Sequence, residues 1–367
     1  MKFVKEQAIG FGTALVLGVV WGVLSAMLEE NGFIDPPNIS WLVVVMVVSI
    51  ILHIIFHELG HLEAGLLSGY KFASFRIGNL IWIRKNGKIK LKKFSLIGTA
   101  GQCLMIPPEG RGYDYPVVLY NIGGILTNLI VSVVVAVLAV FLQSGEMLIF
   151  PLVGIYIIIT NGVPMKMQGI ANDGMNVKCL KKEPLAMQSF DCQLRSNALL
   201  MQGVRLKDMP DQWFYVPEGS DFNDVNTGTL VYMQIGRILD RCEFALAREQ
   251  IQWALKYVDG MLRLHKNELK CELIFCHIML GQYEEAEKLY EYEMKKYITE
   301  TKNWLSRARL MYAYYLLVEK DNEKAEKELK LFNRIKKTSP NIGEIESEEE
   351  LLDLLSCQKT ENNTDIS

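Results

Sequence analysis

The stretch Trp41-Leu42-Val43-Val44-Val45-Met46-Val47-Val48-Ser49-Ile50-Ile51-Leu52-His53-Ile54-Ile55-Phe56-His57-Glu58-Leu59-Gly60-His61 decides the reading of this chain. Residues 41–56 carry no fixed charge, and with the apolar residues beyond them they meet the ~20 residues that a helix needs to cross ~30 Å of hydrocarbon. The run ends on the pattern His-Glu-x-x-His. His57 and His61 are four apart, so on a helix they stack on one face and share an ion, and neutral imidazole suits zinc. Glu58 stands beside His57, where it takes a proton from a water that catalytic zinc has acidified to a pKa of about 7. On a soluble helix the same five residues are weak evidence, because chance matches are common. Inside a lipid-facing run an unpaired Glu58 costs ~2.5–3.5 kcal/mol or more, so an ionisable group there is expected to have a function.

Working outward, four apolar runs qualify as spans: about Ala8–Met27, Trp41–Leu67, Val117–Leu142 and Met147–Asn161. Lys2 and Lys5 before the first run suggest a signal peptide. Its apolar core is longer than a secretory h-region, however, and Ser25-Ala26 is a poor cleavage site, so a retained span is expected. Lys71, Arg76, Arg84, Lys85, Lys88, Lys90, Lys92, Lys93 and Arg111 fall between the second and third runs, and Lys166, Lys178, Lys181 and Lys182 follow the fourth. The segments 29–40 and 143–147 carry acids only. An excess of Lys and Arg marks the cytoplasmic side, which puts both termini and the polar second half there. A second span entering from outside at Trp41 then carries His57 about 24 Å inward at ~1.5 Å per residue, toward the cytoplasmic leaflet.

A catalytic zinc takes three protein ligands and keeps one position open, so the motif lacks a ligand. The fourth run breaks at Asn161-Gly162-Val163-Pro164, and Asn172-Asp173-Gly174 follows. Asp173 reads either as the missing ligand, on irregular backbone lining a protein cavity, or as a turn or helix-cap residue. His53, one turn before His57, reads as a ligand, as a partner of a ligand, or as a polar residue packed inside the bundle.

Taken in order, His57-Glu58-Leu59-Gly60-His61, then Gly124-Ile125-Leu126-Thr127-Asn128 in the next run, then Asn161-x-x-Pro164 and Asp173-Gly174, resemble the site-2 protease family of intramembrane zinc metalloproteases over about residues 40–176. Gly162 stands where many members carry Pro. The resemblance implies one Zn2+ per chain held by His57, His61 and Asp173, with Glu58 as catalytic base. It implies that Asn128 helps hold substrate or the oxyanion, whereas a lone Asn in a span, taken by itself, more often makes an interhelical hydrogen bond. The implied reaction is hydrolysis of a peptide bond in or next to a transmembrane segment of a membrane-tethered substrate, in the bilayer of a bacterial cell. Two rivals are a membrane-anchored scaffold with a vestigial zinc site, and a zinc hydrolase of lipid or prenylated substrates.

Residues 80–93 predict a β-hairpin turning at Asn86-Gly87, with Lys88, Lys90 and Lys92 alternating against Ile89 and Leu91. It suits anionic headgroups, and equally an edge that pairs with an unwound substrate. Residues 98–112, rich in Gly and Pro, read as irregular loop.

The second half is polar and helical, with a loop over 207–221. Beyond it Ala247, Ala286 and Ala325 recur 39 residues apart, with Leu239, Ile278 and Leu317 one helix earlier. Gly281-Gln282-Tyr283-Glu284-Glu285-Ala286 resembles the turn of a tetratricopeptide repeat, whose usual period is about 34. Such stacked helix pairs offer a concave face to a regulatory protein or peptide; a plain bundle is the other reading. Ser347-x-x-Glu350 reads as the capping box of a last helix, and the tail after Cys357 as disordered.

The fold class expected is therefore mainly α: a polytopic membrane helix bundle of about four spans with a small β-hairpin insert, then a soluble α-helical repeat-like domain. The boundaries expected are 1–176 for the membrane-embedded zinc metalloprotease domain, 177–356 for the cytoplasmic helical domain and 357–367 for the tail. Composition agrees, since half the 367 residues are hydrophobic and the net charge is only −3. No basic patch interleaved with aromatics points to nucleic acid. The seven cysteines have no paired spacing, as reduced thiols facing a cytosol would not.

Overall fold

The computed structural model of the chain describes residues 2–85, 87–94, 100–109, 115–167, 170–180 and 183–364. It divides into two compact units, Met1–Trp82 with Ser95–Met187, and Ile83–Phe94 with Gln188–Ser367.

In the first unit, helices α1 (Lys2–Glu30), α2 (Ile39–Leu67) and α3 (Val117–Phe141) are long and apolar enough to cross a bilayer. Val43, Val47, Val133 and Val137 on α2 and α3 are exposed, the pattern of faces meant for lipid rather than water. Asn38 caps α2 by accepting a hydrogen bond from the Ser40 amide at 3.0 Å. The Asn38 amide donates to Glu146 Oε1 at 2.8 Å, and the Asp35 amide to the Gln143 carbonyl at 2.8 Å. The start of α2 and the end of α3 therefore lie at the same end of the unit, and the two helices run antiparallel. They approach closely where Gly60 meets Gly123: a Cβ on Gly60 would strike the Gly123 carbonyl, and one on Gly123 would lie 2.5 Å from Ala64 Cβ.

The fourth expected span differs. Helix α4 (Ile149–Gly162) has 14 residues and covers ~21 Å at 1.5 Å per residue, short of the hydrocarbon core. It stops where Gly162-Val163-Pro164 ends the helical pattern, and the chain turns back through β5 (Lys166–Met167) and β6 (Ile170–Ala171) into α5 (Asp173–Leu180).

Between α2 and α3 the strands β1 (Lys71–Ile77), β2 (Leu80–Lys85), β3 (Lys88–Lys93) and β4 (Gly101–Ile106) form a sheet in the order β3-β2-β1-β4. The expected hairpin is β2–β3; Asn86 lies outside the described residues. The loop expected over 98–112 is in part a strand, since β4 pairs antiparallel with β1, Phe75 opposite Cys103 and Ile77 opposite Gly101. The apolar Cys103-Leu104-Met105 is buried against the helices, and that burial overrides the surrounding Gly and Pro. Residues 95–99 and 110–114 lie outside the described residues.

The second unit is helical: α6 (Pro184–Gln202, shared with the first unit), α7 (Val225–Asp240), α8 (Phe244–Tyr257), α9 (Arg263–Met279), α10 (Tyr283–Leu289), α11 (Tyr292–Glu300), α12 (Leu305–Ala313), α13 (Asn322–Thr338) and α14 (Ile342–Thr364). Ala247, Ala286 and Ala325 are all buried, each in the first turns of a second helix. Cys242, Gly281 and Lys320, also 39 residues apart, take φ of 60, 71 and 57° in the turns before those helices. Arg309 is buried between Glu272 and Glu348, with its guanidinium 3.8 Å from the Phe275 ring centroid. Helix α14 begins at Ile342, so Ser347 is interior and the expected capping box is not one; the Asn341 amide instead donates to Ser339 Oγ at 3.3 Å. The helix continues to Thr364, where the sequence reads as a tail.

Candidate metal centre

Helix α2 presents His57 and His61 one turn apart on the face packed against α3. Their Nε2 atoms are 3.2 Å apart. The turn after α4 returns Asp173 at the start of α5, and its Oδ2 lies 3.1 Å from His57 Nε2 and 3.4 Å from His61 Nε2. One ligand atom from each of the three residues thus falls within 4.8 Å of the others. Asp173 Oδ2 is buried, and the two imidazole nitrogens are the polar groups that face it; no other hydrogen-bond partner is found for it among the described residues. Two imidazole nitrogens and an orphaned carboxylate oxygen converging in an apolar interior fit a divalent cation, and zinc takes this donor set in tetrahedral sites.

Each of these candidate ligand side chains is oriented from behind. His61 Nδ1 is 2.8 Å from the Tyr120 carbonyl, which only accepts, so Nδ1 carries the proton and the Nε2 lone pair faces the centre. Tyr120 is held in turn by its hydroxyl, which donates to the Cys103 carbonyl of β4 at 2.9 Å, and by stacking on Tyr70 at 4.8 Å. The His57 ring packs against Gly124, where an added Cβ would lie 2.7 Å from Nδ1. Four residues on, Asn128 is fully buried with its amide 3.2 Å from His57 Nδ1. The Gly-x-x-x-Asn spacing therefore brings both the space and the polar group to one side of one ring.

Glu58 is rotated from the histidine face toward the sheet. It is buried against Gly101, the first residue of β4, where an added Cβ would lie 2.6 Å from Oε1 and 2.7 Å from Cγ. Arg76 of β1 is buried beside it and donates to the carbonyls of Gly78 at 2.7 Å and Gly101 at 3.3 Å. In the strand order, the strand at Glu58 is the edge strand β4, while the lysine-bearing β3 is the opposite edge.

Asn172 was legible only as a turn residue, yet it organises the return of Asp173. Its Nδ2 donates to the Thr160 carbonyl at 2.8 Å and the Val163 carbonyl at 2.7 Å. Its Oδ1 accepts from the Met165 amide at 3.1 Å and the Met175 amide at 3.0 Å. Gly174 then passes so close to α4 that a Cβ there would strike the Gly162 carbonyl. The structure thus brings together His57, Glu58, His61, Asn128 and Asp173. Gly101 and Tyr120 are added by long-range contacts, which leave no local signal; Asn172 is added by bonds within its own loop, whose geometry the residue type alone does not give.

A family model described as peptidase family M50 matches residues 45–337, most of the chain and all of this centre. No curated protein and no solved structure matches it.

Proposed function

The chain belongs to peptidase family M50, a family of site-2-protease-like membrane metallopeptidases, and on that premise we propose that it is a zinc endopeptidase cleaving a peptide bond in or next to a transmembrane segment of a membrane-tethered protein. The observation that carries the reading is the convergence of His57 Nε2, His61 Nε2 and the orphaned Asp173 Oδ2 within one small volume, with Glu58 alongside.

In this reading His57, His61 and Asp173 hold the zinc. When bound, the ion supplies Lewis acidity for water and for the scissile carbonyl. Glu58 takes the proton from the attacking water and returns it to the leaving amine. Gly101 sets how near the Glu58 carboxylate stands, and the Arg76 cation offsets its charge. The substrate segment must unwind first, since a helix engages its own carbonyls and amides. An extended segment fits best beside the edge strand β4, which adjoins Glu58; strand addition there would order it through backbone hydrogen bonds. Lys88 and Lys90 on the far edge suit anionic headgroups better than substrate, while Lys92 donates to the Ser339 carbonyl at 2.8 Å. By the charge asymmetry of its loops the chain keeps both termini and its helical unit in the cytoplasm, and the helix pairs 39 residues apart would serve as a tetratricopeptide-like face for a regulatory protein or peptide.

The test is substrate trapping. Glu58→Gln in the producing cell should retain a full-length membrane protein that wild type cuts. The purified wild type, loaded with zinc in proteoliposomes, should cleave that client and stop when a chelator strips the metal. A client cut equally by Glu58→Gln would refute the proposal. So would wild type that binds no stoichiometric zinc.

A further inference from the structure

We propose that His53 is a positioning residue of the metal centre: through Asn128 it dictates which nitrogen of His57 carries the proton, and so turns the His57 Nε2 lone pair toward the metal. The inference rests on the zinc reading above and deepens it. It comes from a chain of three side chains that begins at a backbone carbonyl on another helix.

His53 Nε2 lies 3.0 Å from the Phe150 carbonyl of α4. Its Nδ1 lies 3.2 Å from the side-chain amide of Asn128 on α3. The other end of that amide lies 3.2 Å from His57 Nδ1. His53 and Asn128 are both fully buried.

A carbonyl can only accept, so His53 Nε2 must carry a proton. A neutral ring then has a bare Nδ1, which needs a donor. Asn128 can supply one only through its NH2 end, and that leaves its oxygen facing His57. His57 must then donate from Nδ1, and its remaining lone pair sits on Nε2, the atom 3.1 Å from Asp173 Oδ2. The structure draws the amide with Oδ1 on the His53 side and Nδ2 on the His57 side. A 180° turn of that amide leaves every position unchanged. In the drawn orientation His53 would have to donate from both nitrogens and become a cation with no ion-pair partner among the described residues. His57 would then carry its proton on Nε2, where it blocks the metal. A neutral interior and a usable ligand therefore require the same orientation.

The packing holds this chain in register. The His53 ring lies against the Phe150 ring at 4.1 Å. A Cβ on Gly154 would reach 2.6 Å from His53 Cε1 and would also strike Ser132 Oγ. Ser132 in turn donates to the Asn128 backbone carbonyl at 2.6 Å. Three helices thus contribute to fixing one tautomer, and His53 is the link between the carbonyl that cannot change its role and the amide that can.

The direct test is 15N NMR of histidine-labelled full-length chain in nanodiscs with zinc bound, with the His53 ring signals identified by substituting the other four histidines in turn. The expected result is His57 protonated at Nδ1 and His53 at Nε2 alone. His57 coordinated through Nδ1, or a His53 protonated at Nδ1, overturns the inference. This measurement needs no variant of His53 to fold. The companion measurement is zinc affinity by competition with a chromophoric chelator. His53→Phe should weaken zinc roughly 10- to 100-fold, the usual effect of losing a partner behind a ligand. Adding His53→Phe to Asn128→Leu should cost nothing more. Unchanged zinc affinity in His53→Phe, or losses that multiply in the double variant, would count against the relay. Wild type that binds no zinc at all would instead sink the parent reading, whatever the tautomers are.

Discussion

Gly101→Ala offers the sharpest separation of metal binding from catalysis. The added Cβ would sit 2.6 Å from Glu58 Oε1 and 2.7 Å from Glu58 Cγ, where ordinary contact begins at 3.4 Å. The Glu58 side chain must therefore retreat by about 0.7–0.8 Å, the difference between those distances. The strand itself has no reason to move: Gly101 is not among the glycines with positive φ, and its carbonyl remains available to Arg76. A ~1 Å misplacement of a catalytic group costs on the order of 100-fold, so a loss of roughly 10- to 100-fold in kcat is expected, equivalent to about 1.4–2.7 kcal/mol of barrier. Zinc content should stay at the wild-type level, because Glu58 is not a ligand in this arrangement. The assay is single-turnover cleavage, in proteoliposomes, of the client captured by Glu58→Gln, with metal analysis of the same preparations. Glu58→Asp, shorter by one methylene, should partly relieve the clash, so that the double variant loses less than the product of the two single losses. Gly101→Ala that cleaves at the wild-type rate would refute the placement of Glu58 against β4.

Asp173→Ala leaves two imidazoles for the metal, and metal analysis should find zinc well below one per chain in a protein that still elutes as a folded species. Asn172→Leu keeps all three ligands but strips partners from two carbonyls and two amides, each worth ~1–3 kcal/mol when buried and unpaired; chelator competition should show weaker zinc binding with Asp173 intact. In the second unit, Arg309→Ala leaves Glu272 and Glu348 facing each other without a cation and should destabilise by about 3–5 kcal/mol in thermal melts, whereas Arg309→Met should cost less than half of that once Glu348→Leu is added. His265 of α9 is stacked on Tyr232, and burial pushes its pKa from 6.5 down to about 4. The unfolded chain therefore binds this proton first as pH falls, so stability is intact above pH ~6.5, declines toward pH 4 and levels off below it; linkage gives a loss of about 2 kcal/mol by pH 5. Melts of wild type and His265→Phe at pH 7 and pH 5 should differ by that amount in their pH dependence, with wild type the more acid-sensitive.

How much of this could be read from the chain alone follows from the range of each interaction. Helical spacing is local, so the shared face of His57 and His61 was legible at once, whereas Gly124 and Asn128 entered only through the resemblance to the site-2 protease family. The 39-residue recurrence was legible as Ala247, Ala286 and Ala325, though the left-handed turns at Cys242, Gly281 and Lys320 share no residue type and could not be seen. Strand β4 was hidden because Gly101, Pro107 and Pro108 read as loop, and only pairing with β1 and burial of Cys103-Leu104-Met105 make it a strand. The break at Asn161-Gly162-Val163-Pro164 marked where α4 ends, but not how the chain turns back after it to bring Asp173 beside the histidines. His53 was ambiguous for a deeper reason: its decisive partner is the carbonyl of Phe150, a backbone group that any residue would supply.

In the proposed zinc site, the short α4 is what delivers Asp173 as third ligand. A helix that crossed the bilayer completely would carry the chain past the depth of His57 and His61 and leave no acid to join them. Stopping at Gly162 exposes the last carbonyls of α4 where water is scarce, and unpaired backbone is tolerated there only if protein satisfies it. Asn172 does so with a single side chain, using both amide hydrogens on Thr160 and Val163 and both oxygen lone pairs on Met165 and Met175, the full capacity of the group. The residue that follows it is Asp173, so the group that makes the break tolerable and the group that uses the break are adjacent in sequence. Aspartate at 172 would lose both donors, leucine all four bonds, and glutamine would set the amide one methylene too far along. The Asn-Asp order is thus a requirement of a ligand delivered by a broken helix, and it constrains the loop more tightly than the identity of the residues between Pro164 and Ala171.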